Sequence, residues 1–221
     1  MKNETGRKKF AGIIPMVTGL LLIAAALLLV MYNKMDADFA EEEANYYEEQ
    51  LRAAMETYAP EPEVEETVDI MEQSIFETEA EEEPVPEMPL IAINGLDCIG
   101  ILHVPKYSLN LPILFDCNME LLRKSPCRYS GSYYTNDLVI CGHNYRKHFS
   151  LIKYLEIGET LSLETVDGTV ITYQVANIEQ LKPTEVERMV SNMDGQWDLT
   201  LFTCTTGGNA RWAIRCMRME E

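Results

Sequence analysis

The chain carries no Cys-x-x-Cys pair, no Gly-x-Gly-x-x-Gly, no P-loop and no internal repeat. These absences argue against a dithiol redox centre, the usual nucleotide cradles and a repeat architecture. Histidine is scarce, with three residues in 221, so there are few candidates for a general base. Basic residues are nearly missing where acids crowd: residues 36–89 hold twenty Asp and Glu against Arg52 alone. Residues 90–221 are close to balanced, with twelve bases and fifteen acids. The net charge of −18 therefore belongs to a connecting segment and says little about substrates. Without a basic stripe or an aromatic–basic platform, the chain does not read as a nucleic-acid binder.

Charge is also absent from Phe10 to Tyr32, an unbroken apolar run. A helix needs roughly 20 residues to cross a hydrocarbon core, so the run is long enough. Arg7-Lys8-Lys9 precede it and acids follow it, which places the N-terminus in the cytoplasm and the remainder outside. The run is too long for a signal-peptide core, and no small-x-small cleavage site follows. This predicts a single-pass signal-anchor in the plasma membrane: residues 1–9 cytoplasmic, 10–32 spanning, 33–89 a stalk and 90–221 the globular part. The stalk begins with helix formers around Glu41-Glu42-Glu43-Ala44 and Gln50-Leu51-Arg52-Ala53-Ala54. From Pro60 it turns to Glu, Pro and Thr, a composition unable to bury a core, so disorder is expected to about Pro89. The simplest role for the stalk is a solvated spacer.

The globular part alternates short apolar runs with turn signals. Strands are expected at 98–104, 111–113, 137–141, 160–165, 170–181, 198–204 and 210–217, with local helical patterning at 119–123, 149–154 and 184–190. Many strands at short spacing favour a mainly β fold, an antiparallel barrel or sandwich. Leu199-Thr200-Leu201-Phe202-Thr203-Cys204 ends on a thiol. Thr-Thr-Gly-Gly-Asn then turns the chain into Ala210-Arg211-Trp212-Ala213-Ile214. Such a hairpin sets Cys204 opposite Arg211, where the cation favours thiolate over thiol. His143 follows the apolar run Leu138-Val139-Ile140-Cys141, with Gly142 letting the chain bend as the strand ends. A strand-end imidazole is well placed for a general base. His103 reads as a structural residue within a strand, His148 as a surface residue, and Arg215 and Arg218 as ordinary surface charges.

Gly142-His143-Asn144, then Thr200-Leu201-Phe202-Thr203-Cys204, then Arg211 on the next strand, resemble the signature of the sortase family. Gly100-Ile101-Leu102-His103-Val104-Pro105 and Leu109-Asn110-Leu111-Pro112-Ile113 are similar to its first two strands, and residues 165–175 to its Asp-Gly hairpin. The resemblance implies a closed eight-stranded β-barrel with short helices, in which His143, Cys204 and Arg211 meet at one end. It implies a cysteine transpeptidase that cleaves an LPxTG-like sorting motif after Thr through a thioester. The acyl group would pass to an amine of a peptidoglycan precursor or a pilin lysine. Partners would be secreted proteins with a C-terminal sorting signal, and no cofactor or metal is called for. Thr203 would help to position substrate. Gly-His-Asn is class B-like, yet the connection 179–197 looks too short for the long class B helix, which leaves the class between B-like and D-like.

Two other readings stand beside this one. Water as acceptor would make the same site a surface cysteine protease, and a silent site would make the barrel a binding module. Six cysteines in an exported domain would ordinarily suggest disulfides, but reserving Cys204 leaves an odd number, so free thiols are the simpler account.

Overall fold

The computed structural model describes residues 4–58, 86–190 and 195–220, with side chains from residue 15 onward. The expected disorder after Pro60 thus falls mostly outside the described residues. Helix α1, Glu4–Met55, is continuous for 52 residues. At 1.5 Å per residue it is about 78 Å long, more than twice a hydrocarbon core. Among the described residues it is the one helix long and apolar enough to cross a membrane. Leu20, Leu21, Leu22 and Leu28 lie bare of protein contact, as side chains solvated by lipid would.

The part of α1 beyond the apolar run is not a free spacer. Ala40, Ala44, Tyr47 and Leu51 are buried, and their spacing of four, three and four residues makes one stripe along the helix. Tyr47 and Leu51 pack with Ile93, Cys98, Ile101, Leu114, Leu122, Cys127 and Val166 on the outside of the sheet. Leu51 is completely covered, which contributes roughly 1.5–3 kcal/mol to docking. Arg52 adds contacts to Glu48 at 3.0 Å and Glu164 at 3.7 Å, and Tyr46 Oη accepts from Asn94 at 2.8 Å.

Among the described residues nine strands form one sheet in the order β1-β2-β3-β4-β5-β8-β9-β7-β6, and a further β2–β6 pairing closes it. The closed barrel therefore has eight strands: β2 Leu96–Val104, β3 Leu109–Leu114, β4 Cys127–Ser130, β5 Leu138–Gly142, β6 Thr160–Thr165, β7 Val170–Leu181, β8 Leu199–Cys204 and β9 Arg211–Arg218. Closure requires β2 and β6 to approach closely at Gly100, where a Cβ would lie 2.3 Å from the Glu164 carbonyl oxygen. Strand β1, Ile91–Ile93, is an extra hairpin on β2. Its turn, Asn94-Gly95, has positive φ at both residues (51° and 78°), the primed geometry that matches strand twist.

Two pairings depart from the expected antiparallel pattern: β3 with β4, and β5 with β8, are parallel. Hairpin periodicity cannot reveal a parallel pair, because its strands are joined through a crossover, here residues 115–126 for β3–β4 and the whole β6–β7 excursion for β5–β8. The interior is filled by one face of each strand, including Leu102, Leu111, Ile140, Leu163, Tyr173, Leu201 and Ile214. The opposite face of β5, β8 and β9 packs Val139, Phe202 and Ala213 against Leu181 and Met189. Met189 belongs to α3, Val186–Val190, in the β7–β8 connection.

Candidate active site

The site is assembled on that outer face by register. Parallel pairing sets Val139 beside Thr200, Cys141 beside Phe202 and Gly142 beside Thr203. His143, one residue further, therefore comes level with Cys204. Across the other edge of β8, Phe202 pairs with Ala213 and Cys204 with Arg211. In backbone register His143, Cys204 and Arg211 thus form a row over three adjacent strands, spaced by about 4.8 Å per strand. All three are half-buried, and strand alternation puts Cys204 and Arg211 on the side of the sheet that carries Phe202 and Ala213.

The strand end holding His143 is shaped by Phe149. A Cβ on Gly142 would sit 2.4 Å from the Phe149 ring, and the Phe149 amide donates back to the His143 carbonyl at 3.0 Å. Glycine stands before His143 to admit that ring, a reason stronger than the bend expected at a strand end. The His143 ring stacks on Tyr145 at 4.6 Å between centroids and 21° between planes. Its Nε2 is buried with no hydrogen-bond partner among the described residues. Burial pulls the His143 pKa below the ordinary histidine value, Asp36 opposing this and Arg123 adding to it.

Arg211 is steadied by its own turn, Nη1 donating to the Gly208 and Ala210 carbonyls at 3.1 Å each. Thr205 closes that turn, its amide donating to Ala210 O at 2.9 Å. Thr203, by strand alternation, points away from Cys204 and is 1 % exposed, so its side chain lies on the other face of β8.

Two sequence expectations about charges and imidazoles, for Arg215 and His148, are overturned. Arg215 is no surface charge: it is 1 % exposed, donating through Nη1 to Thr200 Oγ1 at 2.8 Å and Met189 O at 3.1 Å. It also donates to the Arg188 carbonyl and to Glu179, at 3.3 Å from Nε and 3.2 Å from Nη2. It therefore pins the α3 connection onto the face that carries the row. His148 is fully buried rather than superficial, with Nε2 3.3 Å from the Ala40 carbonyl of α1. His103 is structural as expected, held between Asn110 at 2.9 Å and Glu164 at 3.0 Å. Arg218 is exposed.

All six cysteines are free thiols. Cys127 and Cys141 are cross-strand partners; the neighbouring Cys117 thiol and burial push their pKa values up, while the same cluster draws that of Cys117 down. Tyr145 and Asp36 were not singled out from sequence. The signal was present in the 40, 44, 47, 51 stripe, which predicts a docked helix face and hence neighbours for whatever lies beneath it.

A family model described as the sortase domain matches residues 102–219, more than half of the chain. The chain belongs to the sortase family. Among solved structures, sortase A from Corynebacterium diphtheriae superposes with a TM-score of 0.51 at 21% identity, over 56% of this chain and 61% of that one. Its lid mutant gives 0.50 at 20% identity, over 57% and 72%. A sortase D5 transpeptidase from Clostridium perfringens gives 0.49 at 18% identity, over 56% and 80%. This sortase chain thus spans about three-fifths of the first structure, and at such identities the likeness is one of fold. No curated protein matches the chain.

Proposed function

We propose that this sortase is a membrane-anchored cysteine transpeptidase acting on C-terminal, LPxTG-like sorting motifs of secreted proteins. The observation that carries the reading is the His143, Cys204, Arg211 row across β5, β8 and β9. Thiolate Cys204 attacks the carbonyl carbon of the motif's Thr. Arg211, whose planar guanidinium suits a fixed pair of donors, stabilises the oxygen as it gains charge. His143 as imidazolium gives its proton to the leaving glycine amine, which departs and leaves a thioester on Cys204. The neutral imidazole then takes a proton from the incoming amine, which attacks the thioester, forms a new amide and releases the thiolate. A histidine partly withdrawn from water, with a pKa below the ordinary value, is easily returned to the neutral base in the second half.

The acceptor on this reading is an amine of a peptidoglycan precursor or a pilin lysine. Residues 10–32 cross the plasma membrane, with Arg7-Lys8-Lys9 on the cytoplasmic side and the barrel outside. Residues 90–221 form the catalytic domain, to which the 36–55 part of α1 is added by its packing.

The test is full-length protein in detergent micelles, beside Cys204→Ala, with Leu-Pro-x-Thr-Gly-like and Asn-Pro-x-Thr-Gly-like peptides and an amine acceptor, products read by mass. Cleavage after Thr with acceptor attached, lost in the variant, is the expected result. Free acid alone identifies a protease, and neither thioester nor cleavage identifies a non-catalytic barrel.

A further inference from the structure

The loop that follows His143 is tied to α1 at three points. Tyr145 Oη donates to the Asp36 carboxylate, His148 Nε2 meets the Ala40 carbonyl at 3.3 Å, and Lys147 Nζ lies 2.9 Å from Glu41. Asp36 and Ala40 are one helical turn apart, so a single face of α1 holds the whole loop. Asp36 also stands only four residues beyond Tyr32, the end of the apolar run, a rise of about 6 Å. The ring that stacks on His143 is the same ring whose hydroxyl is held by Asp36. Burial and the Asp36 carboxylate push the Tyr145 phenol up to about 12, so it remains a hydrogen-bond donor throughout the working pH range.

We infer that Tyr145 and Asp36 are positioning residues for the acid–base histidine, through which the helix leaving the membrane sets the orientation of His143. The inference rests on the transpeptidase reading for the role of His143, but its structural content stands apart from it. Stacking at 21° restricts rotation of the imidazole, and the tie from the phenol to Asp36 steadies the ring on which it stacks. The fixing group lies outside the barrel, on α1. A small misplacement of a reacting group is enough to cost one to two orders of magnitude in rate.

The charged and titratable groups facing His143 are Asp36 from α1, Arg123 from α2 (Leu121–Lys124), and Tyr145 and His148 from its own loop. Cys204 and Arg211 hold the next backbone positions of the row on β8 and β9. Asp36 therefore acts twice, as an anchor for Tyr145 and as a negative charge, and substitutions separate the two actions.

The experiment uses the full chain in micelles with 13C-labelled histidine; with three histidines, each titration is resolved by NMR. Tyr145→Ala is expected to raise the His143 midpoint toward about 6.5 as the ring opens to water, and to lower kcat about tenfold with KM little changed. Tyr145→Phe keeps the stack and loses the tie, so smaller changes in the same direction are expected. Asp36→Asn keeps an accepting oxygen and loses the charge, so the midpoint is expected to fall with kcat largely retained. An unmoved midpoint and kcat in both Tyr145→Ala and Asp36→Ala would overturn the inference. So would a kcat loss that follows only a lowered thermal midpoint. If wild type neither forms a thioester nor transfers, the transpeptidase reading fails by itself, and the His143 midpoints still decide the positioning.

Discussion

Cys204 faces Arg211 directly across the antiparallel β8–β9 ladder, while His143 follows the end of the parallel strand on its other side. The thiol thus stands, in backbone register, between an imidazole and a guanidinium steadied by its own turn. Arg211→Ala is expected to lower kcat by about 10²–10³, the effect of removing one oxyanion donor. Arg211→Lys should recover little, because an ammonium cannot reproduce the planar fork. Steady-state transfer assays check both, and the rate of thioester formation shows whether the loss lies in the first step.

Arg215 shares the face of Arg211 but does structural work. Arg215→Met is expected to destabilise the domain by about 3 kcal/mol, since Thr200 and two backbone carbonyls lose their partner and Glu179 keeps only Arg188. Urea unfolding measures this. Under native conditions Cys204 alkylation should be less affected than stability, the reverse of what Arg211→Ala produces.

Gly142 has no room for a side chain beneath Phe149. Gly142→Ala is expected to cost about 1–3 kcal/mol through overpacking and to displace His143, lowering activity. Adding Phe149→Leu should return part of both losses. A double-mutant cycle with no coupling between the two positions would contradict this account.

His148 sits fully buried under α1, and burial lowers its pKa from 6.5 to about 4. The fold therefore holds the neutral ring, with Nδ1 lacking a hydrogen-bond partner among the described residues. Between those values the unfolded chain binds the extra proton and the folded chain does not. The associated stability is complete above about pH 6.5 and is lost as pH falls toward 4, by up to about 3 kcal/mol. The thermal midpoint should drop over that window, and His148→Gln should flatten the drop.

Leu51 anchors α1 with no exposed surface. Leu51→Ala is expected to cost about 2–5 kcal/mol of docking or fold stability. A soluble protein beginning at residue 36 should melt higher than one beginning at residue 90, which leaves the seat of Tyr47 and Leu51 bare. Differential scanning calorimetry of the two decides it.

What the sequence by itself determined was local. Alternation located β6 and β7 to the residue and the other long strands to within two, because one buried face imposes a period of two. The Gly-Gly-Asn turn brought Cys204 opposite Arg211, because a short hairpin leaves one register. Composition marked the apolar run of α1, and three motifs in order pointed to the family. Other local signals were present but went unread, such as Asn94-Gly95 for the β1 hairpin. The short strand β4, Cys127–Ser130, was also missed, since it has too few residues to display a period. Tertiary structure alone decided what depends on distant segments meeting. The parallel β5–β8 pairing, made across some sixty residues of chain, brought His143 level with Cys204. It turned Thr203 inward, converted Arg215 into a buried pin, and laid the acidic part of α1 over the His143 loop. Those outcomes follow from which faces are left to be covered once the barrel closes, and no single stretch of sequence carries that information.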